Sequence, residues 1–305
     1  MTTIAPIQFD YSKSRSVGRM PAWIRQNLGQ DAHYPKTSQA VHGHGLVTVC
    51  EEARCPNRGE CWSRGTATFM LLGDTCTRAC GFCAVKTGRP GVLDTTEPAR
   101  VAKAVNDLQL NYVVLTSVNR DELDDDGVSI FAGTVTALRE QNPQIGIELL
   151  TPDFRTCQDN AIDVTNAALA NLPVGTCRDL VWGHNVETVP RLYKIARKGS
   201  QYQRSLDLLT KAGRQPGVAA KSALMLGLGE TRDEVLAVLQ DLRACGVERV
   251  SLGQYLRPTL QHLPVVEYIH PEEFAAYEQA ARELGFRWVK AGPLVRSSYF
   301  AEEEQ

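Results

Sequence analysis

The sequence predicts an α/β protein, a partial (β/α)6 barrel of the TIM type with extensions at both ends. Three observations carry this. Six short apolar runs alternate with helical patterns from residue 68 onward, and strands that alternate with helices pair in parallel through right-handed crossovers. Six such units stop two short of a closed eight-fold ring, which leaves a lateral opening. The unusual polar residues fall just after the runs, at the strand ends where α/β barrels carry their chemistry.

Residues 1–18 are polar and without period. Pro21 and Gly29 bracket an expected short helix over 22–29. Asp31 to Val49, which holds several Gly and His, reads as a connector, with His42 and His44 as candidate metal ligands. Then come strands over 68–72, 112–116, 146–150, 180–182, 219–226 and 249–252. Helices are expected over 97–108, 130–140, 161–170, 205–212, 233–245 and 271–284. Three units follow: an N-terminal extension over 1–62, the barrel over 63–285 and a C-terminal extension over 286–305.

Six of the nine cysteines fall in two groups of three, Cys50-x4-Cys55-x5-Cys61 and Cys76-x3-Cys80-x2-Cys83. A structural zinc site is closed by four protein ligands, and an iron–sulfur cube has four irons. Three thiols per group therefore imply centres whose fourth position is filled by something else. The second spacing matches no common zinc pattern, which starts from paired Cys-x2–4-Cys motifs. Read on spacing alone, zinc-bound or reactive loop cysteines remain the alternative.

With Phe82 between its last two cysteines, the second triad resembles the signature of the radical S-adenosylmethionine (SAM) enzymes. The first triad reads Cys50-Glu51-Glu52-Ala53-Arg54-Cys55-Pro56-Asn57-Arg58-Gly59-Glu60-Cys61-Trp62 and narrows the resemblance to the lipoyl synthase family. The likeness runs in order over 19–300, through Thr116–Asp121, His184–Tyr193, Met225–Thr231 and Gly253–Thr259 to Arg296-Ser297-Ser298-Tyr299.

That resemblance implies two [4Fe–4S] clusters and SAM. Cys76, Cys80 and Cys83 would hold the cluster that chelates and reduces SAM, with Phe82 near the adenine. Gly227 and Gly229 match a glycine-bearing SAM contact, and Asn185 matches a SAM or substrate contact. Cys50, Cys55 and Cys61 would hold the auxiliary cluster, with Ser297 as its fourth ligand and Ser298 as the competitor. A hard serine oxygen suits a thiolate-preferring iron poorly and leaves readily, which fits a cluster used as sulfur donor. The implied reaction inserts sulfur at C6 and C8 of an octanoyl chain on a lysine of a lipoyl-carrier domain. Such carriers belong to the acyltransferase subunits of 2-oxo acid dehydrogenases or to the glycine-cleavage H protein. Ferredoxin or flavodoxin is the implied electron donor. Asn119 stands where the family pattern has Asp, while Arg120 and Asp121 remain. Cys157, Cys177 and Cys245 lack ligand spacing and read as ordinary thiols.

Composition sets the frame. Hydrophobic residues make up 43% and charged residues 22% of 305, an ordinary globular balance. A net charge of −2 gives no electrostatic footprint for nucleic acid. No apolar run reaches the ~18 residues of a membrane span, and Asp10, Lys13, Arg15 and Arg19 interrupt any secretory apolar core. Nine cysteines without such a signal fit a reducing compartment, so a cytoplasmic protein is expected. The rival readings are another radical SAM sulfur inserter and a zinc-stabilised binding module.

Overall fold

The computed structural model describes residues 19–24, 33–64, 66–170, 180–299 and 301. A 3-10 turn, Ala22–Ile24, begins where the first helix is expected; 25–29 lie outside the described residues. The connector expected over 31–49 is instead largely a helix, α1 (His33–Gly43). Its support is tertiary. Val41 is fully buried, Tyr34 stacks on the Trp62 ring at 5.2 Å, and Thr37 Oγ1 donates to Trp62 O at 2.9 Å. Two short helices, α2 (Val49–Glu52) and α3 (Arg58–Ser63), carry the first cysteine triad.

The barrel follows in the expected order. Strand β1 (Thr68–Leu71) leads to a two-residue ribbon, β2 (Thr75–Cys76) with β3 (Lys86–Thr87). Then come α4 (Glu97–Asp107), β4 (Tyr112–Ser117), α5 (Val128–Gln141), β5 (Gly146–Leu150) and α6 (Gln158–Ala170). Next are β6 (Leu180–Gly183), α7 (Tyr193–Ala196), α8 (Tyr202–Gly213) and β7 (Val218–Leu226). The chain ends with α9 (Arg232–Ala244), β8 (Arg249–Gln254), α10 (Pro271–Glu283) and β9 (Trp288–Gly292). Several helices begin two or three residues before their apolar pattern does. Helix α9 starts one residue early, at Arg232, where Thr231 and Glu234 form a reciprocal capping box.

Seven parallel strands form one sheet in the order β1-β4-β5-β6-β7-β8-β9. The seventh, β9, lies within the stretch expected as a C-terminal extension. Its apolar signal is thin because it is an edge strand and only Val289 of its five residues is buried. Helices cover the outside of the sheet in two apolar patches. One gathers Phe69, Leu71, Leu115, Leu149 and Trp182; the other gathers Leu224, Leu226, Val235, Leu239, Leu252 and Phe274. Among the described residues no helix is long and apolar enough to cross a membrane.

The sheet's two ends, β1 and β9, are not paired with each other. The flank of β1 is taken instead by Val47 and Thr48, which add a short antiparallel bridge: Met70 N donates to Val47 O at 2.8 Å. The chain after β9 also reaches across the gap, where Thr68 Oγ1 donates to Ser298 Oγ at 3.0 Å. Asn57 Nδ2 donates to Leu294 O at 2.7 Å. The terminal segments thus close the opening that the partial barrel leaves.

A fully buried ion pair crosses β6. Lys221 of β7 meets Glu148 of β5 at 2.9 Å, and Tyr112 Oη adds a hydrogen bond to the same carboxylate at 3.2 Å. Removing one charge strands the other in a low-dielectric interior. Glu148→Ala or Lys221→Ala is therefore expected to cost about 3–5 kcal/mol, read as a lower midpoint in urea unfolding. The double variant Glu148→Leu/Lys221→Met is expected to cost less than either; a double variant as unstable as the sum of the singles would count against this account.

Candidate functional site

The second triad sits on the loop after β1. Left-handed backbone at Leu72 (φ 70°) and Gly73 (φ 91°) turns the chain off the strand. Glu97 takes the Leu72 N–H at 2.8 Å, and the buried Arg120 donates to Leu72 O at 3.0 Å. The β2–β3 pairing then closes the loop on itself. Cys76 Sγ accepts the N–H of Arg78 at 3.4 Å and of Asn119 at 3.3 Å, which ties it to the end of β4. Gly81 donates to Ala196 O and accepts from Leu263 N, both at 2.9 Å. A Cβ there would stand 2.9 Å from Leu263 Cγ and 3.0 Å from Ile195 O, so the loop needs glycine at a position to which the motif alone gives little weight. Phe82 is half-buried against the second apolar patch.

Arg78, inside the triad, locks this loop to the barrel rim. Its guanidinium makes a two-pronged bond to Asp121 at 2.9 and 2.6 Å. It also reaches Asp153 at 2.7 Å and Ser200 at 3.0 Å. Arg204 meets the same Asp153 from another side at 3.1 Å. Burial works to raise the carboxyls of Asp121 and Asp153, yet the Arg78 bonds and charge hold both below the usual range. The neighbouring thiols have no such help. Burial pushes Cys80 up to about 12 and Cys83 to about 11. Arg197 is the one cation that opposes this at Cys80.

The rim after β6 supplies the rest. His184 is fully buried; its Nδ1 lies 2.8 Å from Thr151 O, while Nε2 faces Ser205 Oγ at 3.0 Å and Arg197 at 3.2 Å. A guanidinium can only donate, so Nε2 accepts and Nδ1 carries the hydrogen. Burial, then the Arg197 charge, pushes His184 down to about 3. Arg197 also donates to Tyr193 Oη at 3.1 Å and Ser205 Oγ at 2.9 Å. Glu187 has left-handed backbone (φ 66°), and its carboxyl, raised by burial, faces Arg197, the Asn185 side chain and Arg296.

Gly227 and Gly229 have the positive φ that calls for glycine, 99° and 107°. The neighbours that demand it are protein groups. A Cβ on Gly227 would lie 2.3 Å from both Gln254 Nε2 and Glu267 O, whereas one on Gly229 would make only an ordinary contact with Val266 at 3.6 Å, so there the backbone conformation alone calls for glycine. The amides of Gly227 and Leu228 are tied to the Glu230 carboxylate.

The first triad opens on a small pocket at the seam between the sheet's ends. Cys50, Cys55 and Cys61 line it together with Thr68, Tyr112, Val114, Arg296, Ser298 and Tyr299. Burial pushes Cys50 up to about 11. Ser298 lines the pocket wall, whereas Ser297 points its hydroxyl to Asn185 Oδ1 at 3.1 Å. His42 and His44 are engaged elsewhere, with Glu51 at 3.3 Å and Asp107 at 2.7 Å. Cys157 Sγ donates to Asp126 at 3.5 Å and Cys245 caps α9; Cys177 lies outside the described residues.

Among the described residues no three thiol, imidazole or carboxylate groups stand around one point in ligand geometry. The first triad shares one pocket wall and the second one loop. The donor sets fit iron–sulfur centres all the same. Buried thiols ionise only against a positive charge, the metal supplies it, and backbone N–H groups already point at Cys76 sulfur. Arg296 opens the Arg-Ser-Ser-Tyr motif, whereas Arg78, Arg197 and Glu187 carry no motif of their own that marks them as site residues. Of those three, Arg78 alone had a usable signal, its place inside the Cys-x3-Cys loop.

Comparison with known proteins agrees with this geometry. The radical SAM superfamily profile matches residues 70–242. A lipoyl synthase of Rubrobacter xylanophilus is 49% identical over 285 residues, 93% of this chain and 86% of that protein. A lipoyl synthase of Nitrosomonas eutropha is 48% identical over 301 residues, 98% and 93% of the two chains. Among solved structures, methylornithine synthase (PylB) superposes with a TM-score of 0.52 at 12% identity, covering 86% of this chain and 83% of that one, a likeness of fold.

His184 yields a pH prediction. The unfolded chain binds a proton there near the ordinary value of 6.5, whereas the folded form resists until about 3. This contribution to stability is complete above pH 6.5 and falls as pH drops toward 3, by up to ~1.4 kcal/mol per pH unit. In His184→Gln that part of the slope disappears. Unfolding at pH 7, 6 and 5 should show the stability gap between the two proteins narrowing; a constant gap would mean the imidazole is not held neutral.

Proposed function

The chain belongs to the lipoyl synthase family, within the radical SAM superfamily, and is a radical SAM sulfur-inserting enzyme; from that premise we propose the reaction and the residues that serve it. The substrate is an octanoyl group on a lysine of a lipoyl-carrier domain, and sulfur enters at C6 and C8. The carriers are those of 2-oxo acid dehydrogenase acyltransferase subunits or the glycine-cleavage H protein, with ferredoxin or flavodoxin delivering electrons. The observation that carries the reading is the pairing of two separate three-thiol sites at the two ends of one strand. Thr66, Ala67 and Thr68 at the start of β1 line the first site, and Cys76 follows its end.

Cys76, Cys80 and Cys83 would hold the [4Fe–4S] cluster, and Cys50, Cys55 and Cys61 with a tail serine, Ser297, would hold a second one that serves as sulfur donor. A cluster on the second triad supplies the low-potential electron that cleaves SAM to methionine and a 5′-deoxyadenosyl radical. The chain's own residues prepare the ground. Arg78, clamped by Asp121 and Asp153, keeps the three-thiol loop at the mouth of the barrel. The Arg197 cation moderates the burial of Cys80. Phe82, Asn185, Gly227 and Gly229 would frame the space for SAM, Gly227 by letting Gln254 and Glu267 approach its backbone closely. Around the first triad, Tyr112, Val114 and Tyr299 wall the pocket and limit water.

The test uses anaerobic, cluster-reconstituted protein with SAM, dithionite and an octanoyl-lysine peptide. A lipoyl peptide in the mass spectrum, with two deoxyadenosines per product, is the expected outcome. Cys76→Ala is expected to abolish SAM cleavage, whereas Cys55→Ala is expected to keep cleavage and lose sulfur insertion. SAM cleavage with an untouched peptide would refute the substrate.

A further inference from the structure

We infer that His262 is a positioning residue for the second triad, acting with the adjoining Leu263 to pin both backbone carbonyls that flank Phe82. The inference rests on the reading that SAM binds at this triad with Phe82 beside it.

The chain that leaves β8 runs from Tyr255 to Leu263 without regular structure and turns at the exposed Leu260 and Gln261. It is held in shape from within. Tyr255 Oη donates to Leu263 O at 2.8 Å, and Arg257 Nε donates to His262 O at 2.9 Å. The result is a strap of fixed form that lies against the cysteine loop. Leu263 N–H donates to Gly81 O at 2.9 Å, and His262 Nε2 lies 3.0 Å from Cys83 O. On the opposite side Gly81 N–H donates to Ala196 O, so residues 81–83 are clasped between α7 and the strap.

The imidazole has one arrangement that satisfies its neighbours. A carbonyl oxygen only accepts, so Nε2 carries the hydrogen and donates to Cys83 O. In the neutral ring Nδ1 then accepts, and the Thr259 hydroxyl, 2.8 Å away, supplies that hydrogen. The hydroxyl oxygen remains free to take the Gln261 N–H at 3.2 Å. Thr259 thus fixes the tautomer that His262 needs.

Phe82 has no polar group on its side chain, and its ring is half-buried with Ile195 and Leu263 at the edge of the second apolar patch. Its direction is set by the peptides on either side, and both of their carbonyls end on the strap. None of these bonds uses a thiol, so all are compatible with Cys80 and Cys83 acting as cluster ligands. The Arg78 clamp holds the first half of the loop and the strap holds the second. Without the His262 donor the Cys83 carbonyl is released, and the ring beside SAM loses one of its two fixed neighbours.

Equilibrium dialysis of labelled SAM against anaerobic, cluster-loaded protein tests this through a double-mutant cycle. His262→Leu is expected to raise the dissociation constant about fivefold, the loss of one hydrogen bond. His262→Gln, whose amide nitrogen falls close to the Nε2 position, is expected to restore most of the affinity. In a Phe82→Leu background His262→Leu is expected to add nothing, because the ring it positions is gone. Iron per chain and melting temperature report folding. Should His262→Leu lose iron, Thr259→Val carries the cycle: it keeps the imidazole, releases the tautomer, and is expected to raise Kd about twofold with Phe82 present and not without it. A Kd indifferent to these substitutions, a Gln variant no better than Leu, or effects at 262 and 82 that multiply would overturn the assignment while leaving SAM binding intact. A parent protein that holds both clusters but does not bind SAM would overturn the underlying reading, and the assignment with it.

Discussion

A parallel sheet that stops at seven strands leaves two edges whose backbone groups need partners, and the rest of this molecule depends on how those edges are covered. Exposed edges invite pairing with other chains. Here β1 is flanked by Val47 and Thr48, and the segment after β9 reaches back to Thr68. The cover is functional as well as protective. Cys50 follows the bridging residues by two positions, and Ser297 and Ser298 lie on the segment that crosses from β9. The first triad's pocket is the seam itself, so the incompleteness of the barrel creates the space that its terminal segments line.

Two groups of buried charges are matched within hydrogen-bond reach, whereas buried Arg197 rests on the neutral His184, Tyr193 and Ser205. Glu148 has Lys221; Arg78 has Asp121 and Asp153. Such pairs add little net stability over apolar side chains of the same volume, because desolvation offsets most of the Coulomb gain. What they contribute is geometry. A two-pronged guanidinium bond fixes the Cys76–Cys80 stretch in a way that a methionine could not. The thiols are a further exception to the matching, with Cys50, Cys80 and Cys83 pushed well above the usual thiol range by burial. Their missing counter-charge is what an iron–sulfur centre would bring.

Much of this was legible in the chain. Strands buried on both faces read as unbroken apolar runs, so β1 and β4 to β8 stood out, and thiol spacing alone marked both triads. What escaped shares a physical cause. Helix α1 leans on Trp62, more than twenty residues from the side chains that touch it, and β9 is an edge strand with a single buried residue, Val289. Arg197 gathers partners from β6, α7 and α8, an assembly that no local pattern encodes. Gly227 and Gly229 were legible as special backbone, yet the groups pressing on Gly227, Gln254 and Glu267, lie on another strand and its loop.

The spacing of the two triads follows from the same architecture. They lie at opposite ends of β1, a strand of four residues, which at ~3.3 Å per residue spans roughly 13 Å. A strand hydrogen-bonded on both sides, to β4 and to Val47, is the least extensible spacer a chain can offer. Hinge motion between the sites is therefore a poor way to move a reacting carbon from one to the other. The substrate proposed above, a long, thin acyl chain on a flexible lysine arm, would lie along that distance and present successive carbons without asking the protein to move.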